Sequence, residues 1–266
     1  ITIWPLNVPD GSIINGLMIN DNTIKIVGSS TRSREGIRTY LGNRFSPVPS
    51  DGDQTAPIHD LVIQNNLIEY ENRNVDTSPF NGDHGLKLEC DVEIDGLYIK
   101  NNTIKNAGGI GLYLHEPENE IDGVINNEII KNFVIEGNTF VETKLPIWIR
   151  RNVLDGIIHQ NTFMQNNLYQ VRDDNMVVTI QSENNLHPNN KNVTIVNNVI
   201  RTPKELKPFY PTNHLGNTSY THYDRNRGFI LEDNDEKLFN ENPSGKGVTI
   251  NNTQVIRMLD GTIKKT

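Results

Sequence analysis

The chain has 266 residues, a formal charge of −8, 35% hydrophobic and 22% charged residues, a composition typical of globular rather than disordered chains. No apolar run reaches the roughly 20 residues that a membrane-spanning helix needs, so no membrane insertion is expected, and the acidic balance argues against nucleic acid as the main partner, because phosphate binding requires a clustered basic surface. A single cysteine, Cys90, excludes an intrachain disulfide and any multi-cysteine metal site.

The chain opens on Ile1-Thr2-Ile3-Trp4, which has neither the charged start nor the apolar core of a signal peptide. It reads like the interior of a fold. The expectation is a single domain over residues 1–266, a fragment of a longer protein or one lacking its caps.

From there one short phrase recurs. It first stands as Gly16-Leu17-Met18-Ile19-Asn20-Asp21-Asn22-Thr23-Ile24, then as Asp60-Leu61-Val62-Ile63-Gln64-Asn65-Asn66-Leu67-Ile68. Gly96 to Ile104, Asn132 to Phe140, Ile157 to Phe163 and Asn192 to Ile200 repeat it, and a degraded copy runs from Gly247 to Thr253. In each copy apolar residues alternate at period two, an asparagine-containing corner interrupts, and an apolar residue resumes: strand, corner, strand. Asparagine suits the bend because it tolerates left-handed backbone geometry and hydrogen-bonds nearby main chain. The corner residues Asn22, Asn66, Asn102, Asn138, Asn161 and Asn198 are spaced by 44, 36, 36, 23 and 37 residues. The shortest spacing matches single-turn solenoid repeats, and the longer ones are such repeats carrying inserted loops. Asparagines aligned on successive turns are expected to stack into a ladder that satisfies buried main chain.

These phrases, such as Tyr98-Ile99-Lys100-Asn101-Asn102-Thr103-Ile104 and Val134-Ile135-Glu136-Gly137-Asn138-Thr139-Phe140, resemble the right-handed parallel β-helix superfamily of pectate-lyase-like proteins. That superfamily includes polysaccharide lyases, glycosidases, epimerases and phage tailspikes. The resemblance covers about Ser12 to Met258. It implies an all-β, right-handed parallel β-helix solenoid with long loop insertions, placed outside the cell, at its surface or on a virion. It is specific for fold and weak for activity, since one architecture hosts many chemistries.

A second phrase follows each corner: Gly36 to Leu41, Gly85 to Cys90, Gly111 to His115, Pro146 to Arg150, Tyr169 to Asp173 and Gly228 to Asp233. Alternation turns Ile37, Leu86, Leu88, Leu112, Leu114, Ile147, Ile149, Val171, Phe229 and Leu231 inward. The residues between them are expected to face solvent in two columns. One is Arg38, Lys87, Tyr113, Trp148, Gln170; the other is Tyr40, Glu89, His115, Arg150, Arg172, Glu232. With strands about 4.8 Å apart, these columns form a platform. Aromatic faces pack on sugar rings, and arginine forks grip carboxylates, so an extended acidic polysaccharide is the expected substrate. The long insertions Asn43 to Ile58, Tyr70 to Asp83 and Lys204 to Arg227 are expected to wall a groove.

Cleavage of a polyuronate by β-elimination needs a base beside the carboxyl group and a cation to stabilise the enolate. The candidates are Lys87 or His115 as base, Arg150 and Arg172 as carboxylate clamps, and Tyr113 as leaving-group acid, an inventory that resembles that of β-helix lyases. A glycosidase instead needs two carboxyl groups about 5–10 Å apart. Glu89 is the only carboxylate at the centre of the strip, which leaves hydrolysis second. Arg38, Tyr40, Trp148, Gln170, Arg172 and Glu232 are the substrate-binding candidates. Asp83, Asp91 and Glu93 are candidate ligands for calcium, which prefers six to eight oxygens. The rival classes are a non-catalytic glycan-binding module of phage or cell surface and a structural spacer.

The first phrase also has an outward column, Met18, Val62, Tyr98, Val134 and Ile157, apolar where solvent favours polar groups. Such a stripe marks a partner surface. Tailspike-like relatives associate side by side, so a homotrimer through this column is one expectation and a covering segment of the chain is the other.

Overall fold

The computed structural model describes residues 1–3, 13–28, 33–41, 57–72, 82–90, 93–115, 130–150, 153–164, 178–181, 191–201, 220–222, 229–232, 248–250, 255–257 and 263–265. In chain order the early strands are β1 (Thr2–Ile3), β2 (Ile14–Asn15), β3 (Met18–Asn20), β4 (Thr23–Ile26) and β5 (Glu35–Leu41). Then come β6 (Ile58–Gln64), β7 (Leu67–Tyr70), β8 (His84–Cys90), β9 (Ile94–Lys100), β10 (Thr103–Lys105) and β11 (Ile110–His115). They are followed by β12 (Ile130–Glu136), β13 (Thr139–Val141), β14 (Leu145–Arg150), β15 (Val153–His159), β16 (Thr162–Met164) and β17 (Val178–Gln181). The last are β18 (Lys191–Val196), β19 (Asn198–Arg201), β20 (Tyr220–His222), β21 (Phe229–Glu232), β22 (Val248–Ile250), β23 (Val255–Arg257) and β24 (Ile263–Lys265). No helix occurs among the described residues.

The strands form three sheets. Sheet A has seven strands in the order β1-β5-β8-β11-β14-β17-β20; sheet B has eight, β2-β6-β9-β12-β15-β18-β22 with β3 also on β6; sheet C has nine, from β4 through β7, β10, β13, β16, β19, β21 and β23 to β24. From β6 to β17 the chain visits B, C and A in unchanging order, and each visit adds one parallel strand to each sheet. Among the described strands only β20 on β17 and β24 on β23 pair antiparallel. The fold is therefore all-β, built from three stacks of parallel strands.

Inward residues fill the space between the stacks. Leu61, Leu97, Ile63, Ile99, Ile68, Ile104, Leu88 and Leu114 are fully buried in one continuous cluster, as period-two alternation requires. Size is matched along the stack. Phe133 pairs with Leu97 on one side and with Gly156 on the other, and a Cβ on Gly156 would lie 1.9 Å from the Phe133 ring. Gly156→Val is expected to cost about 1–3 kcal/mol through overpacking. Adding Phe133→Leu, the residue type of the two earlier passes, should recover much of that loss. Urea denaturation of both singles and the double checks it; equal destabilisation by Gly156→Val in both backgrounds would contradict the size match.

The corner between sheets B and C uses two residues with separate tasks. Asp21, Asn65, Asn101, Gly137, Gln160 and Asn197 carry the positive φ, between 53° and 65°, so the left-handed residue is the one before each ladder asparagine and not the asparagine itself. Asn22, Asn66, Asn102, Asn138 and Asn161 each donate from Nδ2 to the Oδ1 of the next at 2.9–3.0 Å. Their backbone N–H groups donate to the same oxygen. From Asn66 to Asn198 the second Nδ2 proton goes to a sheet B carbonyl of the pass before, as from Asn102 to Ile63 at 2.8 Å. An amide side chain has two donors and an acceptor with two lone pairs, and this arrangement occupies all four inside a buried corner.

Two strands differ from the sequence reading. The phrase Gly228 to Asp233 does form a strand, β21, but it joins sheet C beside β19, with Arg201 opposite Glu232; Glu232 therefore stands off the sheet A strip. Alternating Phe229 and Leu231 satisfy the inward face of either sheet equally, so periodicity alone does not choose. Tyr169 to Asp173, with Gln170 and Arg172, lies outside the described residues, and β17 takes the next place in sheet A, with Thr179 opposite Trp148.

Candidate functional site

Sheet A presents the candidate face. Its register aligns Arg38, Lys87, Tyr113 and Trp148 in one column and Tyr40, Glu89, His115 and Arg150 in the next. Eight of the eleven strip residues are thus brought onto four neighbouring strands. Arg38 is held by Glu35 at 3.5 Å, and the Lys87 ammonium lies 5.9 Å from the Tyr113 ring centre, a cation–π contact.

The aromatic pair does not face solvent as alternation alone predicts. Tyr113 is 2% exposed and Trp148 8%; with Ile110 and Leu145 they form a second apolar cluster on the outward side of the sheet. Their rings sit 6.0 Å apart at 43°, a tilted arrangement that suits two quadrupoles. Burying two large aromatics this way recovers apolar area. The reason is compositional: Ile110 and Leu145, three residues before Tyr113 and Trp148, supply apolar neighbours at the start of β11 and β14.

At the entrance to sheet A, the residues preceding β5 and β8 build a buried polar knot. Arg34 grips Asp83 with two hydrogen bonds, Nε to Oδ1 at 2.9 Å and an Nη to Oδ2 at 2.8 Å, and also donates to the Gly28 carbonyl. The hydrogen bond to Asp83 raises the Arg34 guanidinium above its ordinary value. The Tyr70 hydroxyl donates to the carbonyls of Arg34 and His84, and burial pushes that phenol up. His84, fully buried, accepts the Ile110 N–H at Nδ1, 3.1 Å, and its ring lies 5.7 Å from that of Tyr113. Sequence reasoning missed Arg34 and Tyr70; the available signal was that Arg34 and Asp83 each stand just ahead of a sheet A strand.

Among the described residues, the calcium candidates Asp83 and Glu93 do not fall in one ligand cluster. Both Asp83 oxygens are taken by Arg34, and Asp91 lies outside the described residues. Glu93 instead gathers with His59 and Asp95, their ligand atoms within 4.8 Å of one another. A cation is already there: Lys131 Nζ is 2.9 Å from Glu93 and 3.4 Å from Asp95. Asn132 donates to Asp95 at 2.6 Å and, with Lys131, holds that carboxyl below its usual range. One imidazole and two carboxylates neutralised by an ammonium do not fit an ion that wants six to eight oxygens.

On sheet B the apolar column is in register, Met18, Val62, Tyr98, Val134 and Ile157, before Thr194 continues it. Met18 is 57% exposed and the next four are partly buried. Lys100 lies over the Tyr98 ring at 5.6 Å and pairs with Glu136 at 3.2 Å. The long insertions expected to wall a groove fall almost wholly outside the described residues.

Compared with family models, with curated proteins and with solved structures, the chain matches none.

Proposed function

We propose that the three stacks are the walls of one right-handed parallel β-helix, and that the outward face of sheet A binds an extended acidic polysaccharide and cleaves it by β-elimination. The observation that supports this reading is the shared register of Arg38, Lys87, Tyr113 and Trp148 with Tyr40, Glu89, His115 and Arg150, which repeats cationic groups along one strand-spaced face. Lys87, its ammonium over the Tyr113 ring, binds the carboxylate. His115, between Glu89 and Arg150 in register, is the base. In the elimination, its imidazole takes the proton α to the uronate carboxyl; the C–H electrons form the double bond as the glycosidic C–O bond breaks. Lys87 and Arg150 stabilise the charge that gathers on the carboxylate. Tyr113, 2% exposed, is too enclosed for the leaving-group role, and solvent or the imidazolium supplies that proton.

Incubation with a panel of uronate-containing polymers tests this. Unsaturated ends, followed by their absorbance, are the expected product. New reducing ends without unsaturation would replace elimination by hydrolysis; binding without either product would make the face a non-catalytic glycan platform.

A further inference from the structure

We infer that His84 is an acid-sensitive latch on the aromatic cluster of sheet A: its neutral imidazole holds Ile110, and a proton on Nδ1 releases Ile110 and exposes Tyr113 and Trp148. The inference rests on geometry and stands apart from the proposed cleavage. Nδ1 accepts the Ile110 N–H at 3.1 Å, so this nitrogen's lone pair is engaged and the neutral ring carries its proton on Nε2. A second proton has only Nδ1 to take, and there it would point at the N–H it replaces as partner. Protonation and this hydrogen bond exclude each other.

The consequence reaches the cluster through one residue. Ile110 packs with Tyr113, Leu145 and Trp148, and the His84 ring itself lies against Tyr113. The described charged and titratable groups around His84 are Glu35, Arg34, Asp83, Lys87, Tyr113 and Tyr70. Glu35 is opposite in register on β5 and pairs with Arg38; Asp83 pairs with Arg34; Lys87 and Tyr113 face each other on the cluster side; the Tyr70 hydroxyl donates to the His84 carbonyl. The fully buried ring gains a charge at the expense of a buried hydrogen bond, which disfavours the protonated form in the closed state. The closed state is therefore most favoured above the ordinary imidazole value of about 6.5 and weakens as pH falls below it.

Two measurements test the latch. In a Trp4→Phe background, acrylamide quenching of Trp148 should be constant from neutral pH down to about 6.5 and rise below it, and His84→Asn, whose Oδ1 replaces Nδ1 as acceptor without titrating, should abolish the rise. Independently, hydrogen exchange of the Ile110 amide, corrected for its intrinsic rate, should show an opening equilibrium that grows about tenfold per pH unit below the transition, the slope of a single proton taken up. A quenching rise that persists in His84→Asn, or Ile110 protection that does not change with pH, overturns the inference, and the second measurement needs no variant to fold.

Discussion

Replacing Asn102 by alanine is expected to lower the stability of the protein by about 3–5 kcal/mol, because each buried polar group left without a partner costs about 1–3 kcal/mol. The count is local. Asn102 Oδ1 is the acceptor for both the backbone N–H and the Nδ2 of Asn66, and its own Nδ2 donates to the Ile63 carbonyl and to Asn138 Oδ1. Alanine strands the Asn66 N–H in a corner with 1% exposure. Asn22→Ala at the start of the ladder is the control. It removes donors only, from a half-buried corner, and should cost about 1 kcal/mol. Equal losses at Asn22 and Asn102, read from denaturant midpoints, would mean that the ladder contributes nothing beyond corner propensity.

The same ladder explains how much of the fold was legible beforehand. The asparagines recur in sequence because each needs the next at the same corner, so their spacing reports the passes directly. Alternation then separates inward from outward residues, and Leu86, Leu88, Leu112, Leu114, Ile147 and Ile149 are all fully buried as it requires. Alternation says nothing about which sheet receives a strand, which is why Glu232 was misplaced. Nor does it say whether an outward residue meets solvent. Alternation predicts Tyr113 and Trp148 exposed because the period-two pattern ends at the sheet surface, while the apolar partners Ile110 and Leu145 lie ahead of the phrase and only the folded chain brings them alongside. The polar knot of Arg34, Asp83, Tyr70 and His84 was least legible. Its members are up to 50 residues apart in sequence, as Arg34 and Asp83 are separated by 49, and they belong to no repeat.

The burial of Trp148 also divides the expected effects of substitutions on the strip. Trp148→Ala removes a ring that packs on Tyr113 and should cost about 3–5 kcal/mol of stability, not merely glycan affinity. His115→Ala should leave the fold intact and, under the elimination reading, reduce turnover by about 10²- to 10⁴-fold, the usual worth of a positioned base, with polymer affinity changed only a few-fold. Lys87→Ala should do the reverse in part, raising KM through the lost cation and lowering kcat less than His115→Ala does. The parent rate should climb with pH as the imidazole becomes neutral, and that limb should vanish from the residual activity of His115→Ala. Initial rates of unsaturated-end formation against pH and polymer concentration decide the matter: a parent-like pH limb in His115→Ala, or a larger kcat loss for Lys87→Ala, would transfer the base to Lys87 and make its contact with Tyr113 a resting position rather than the working one.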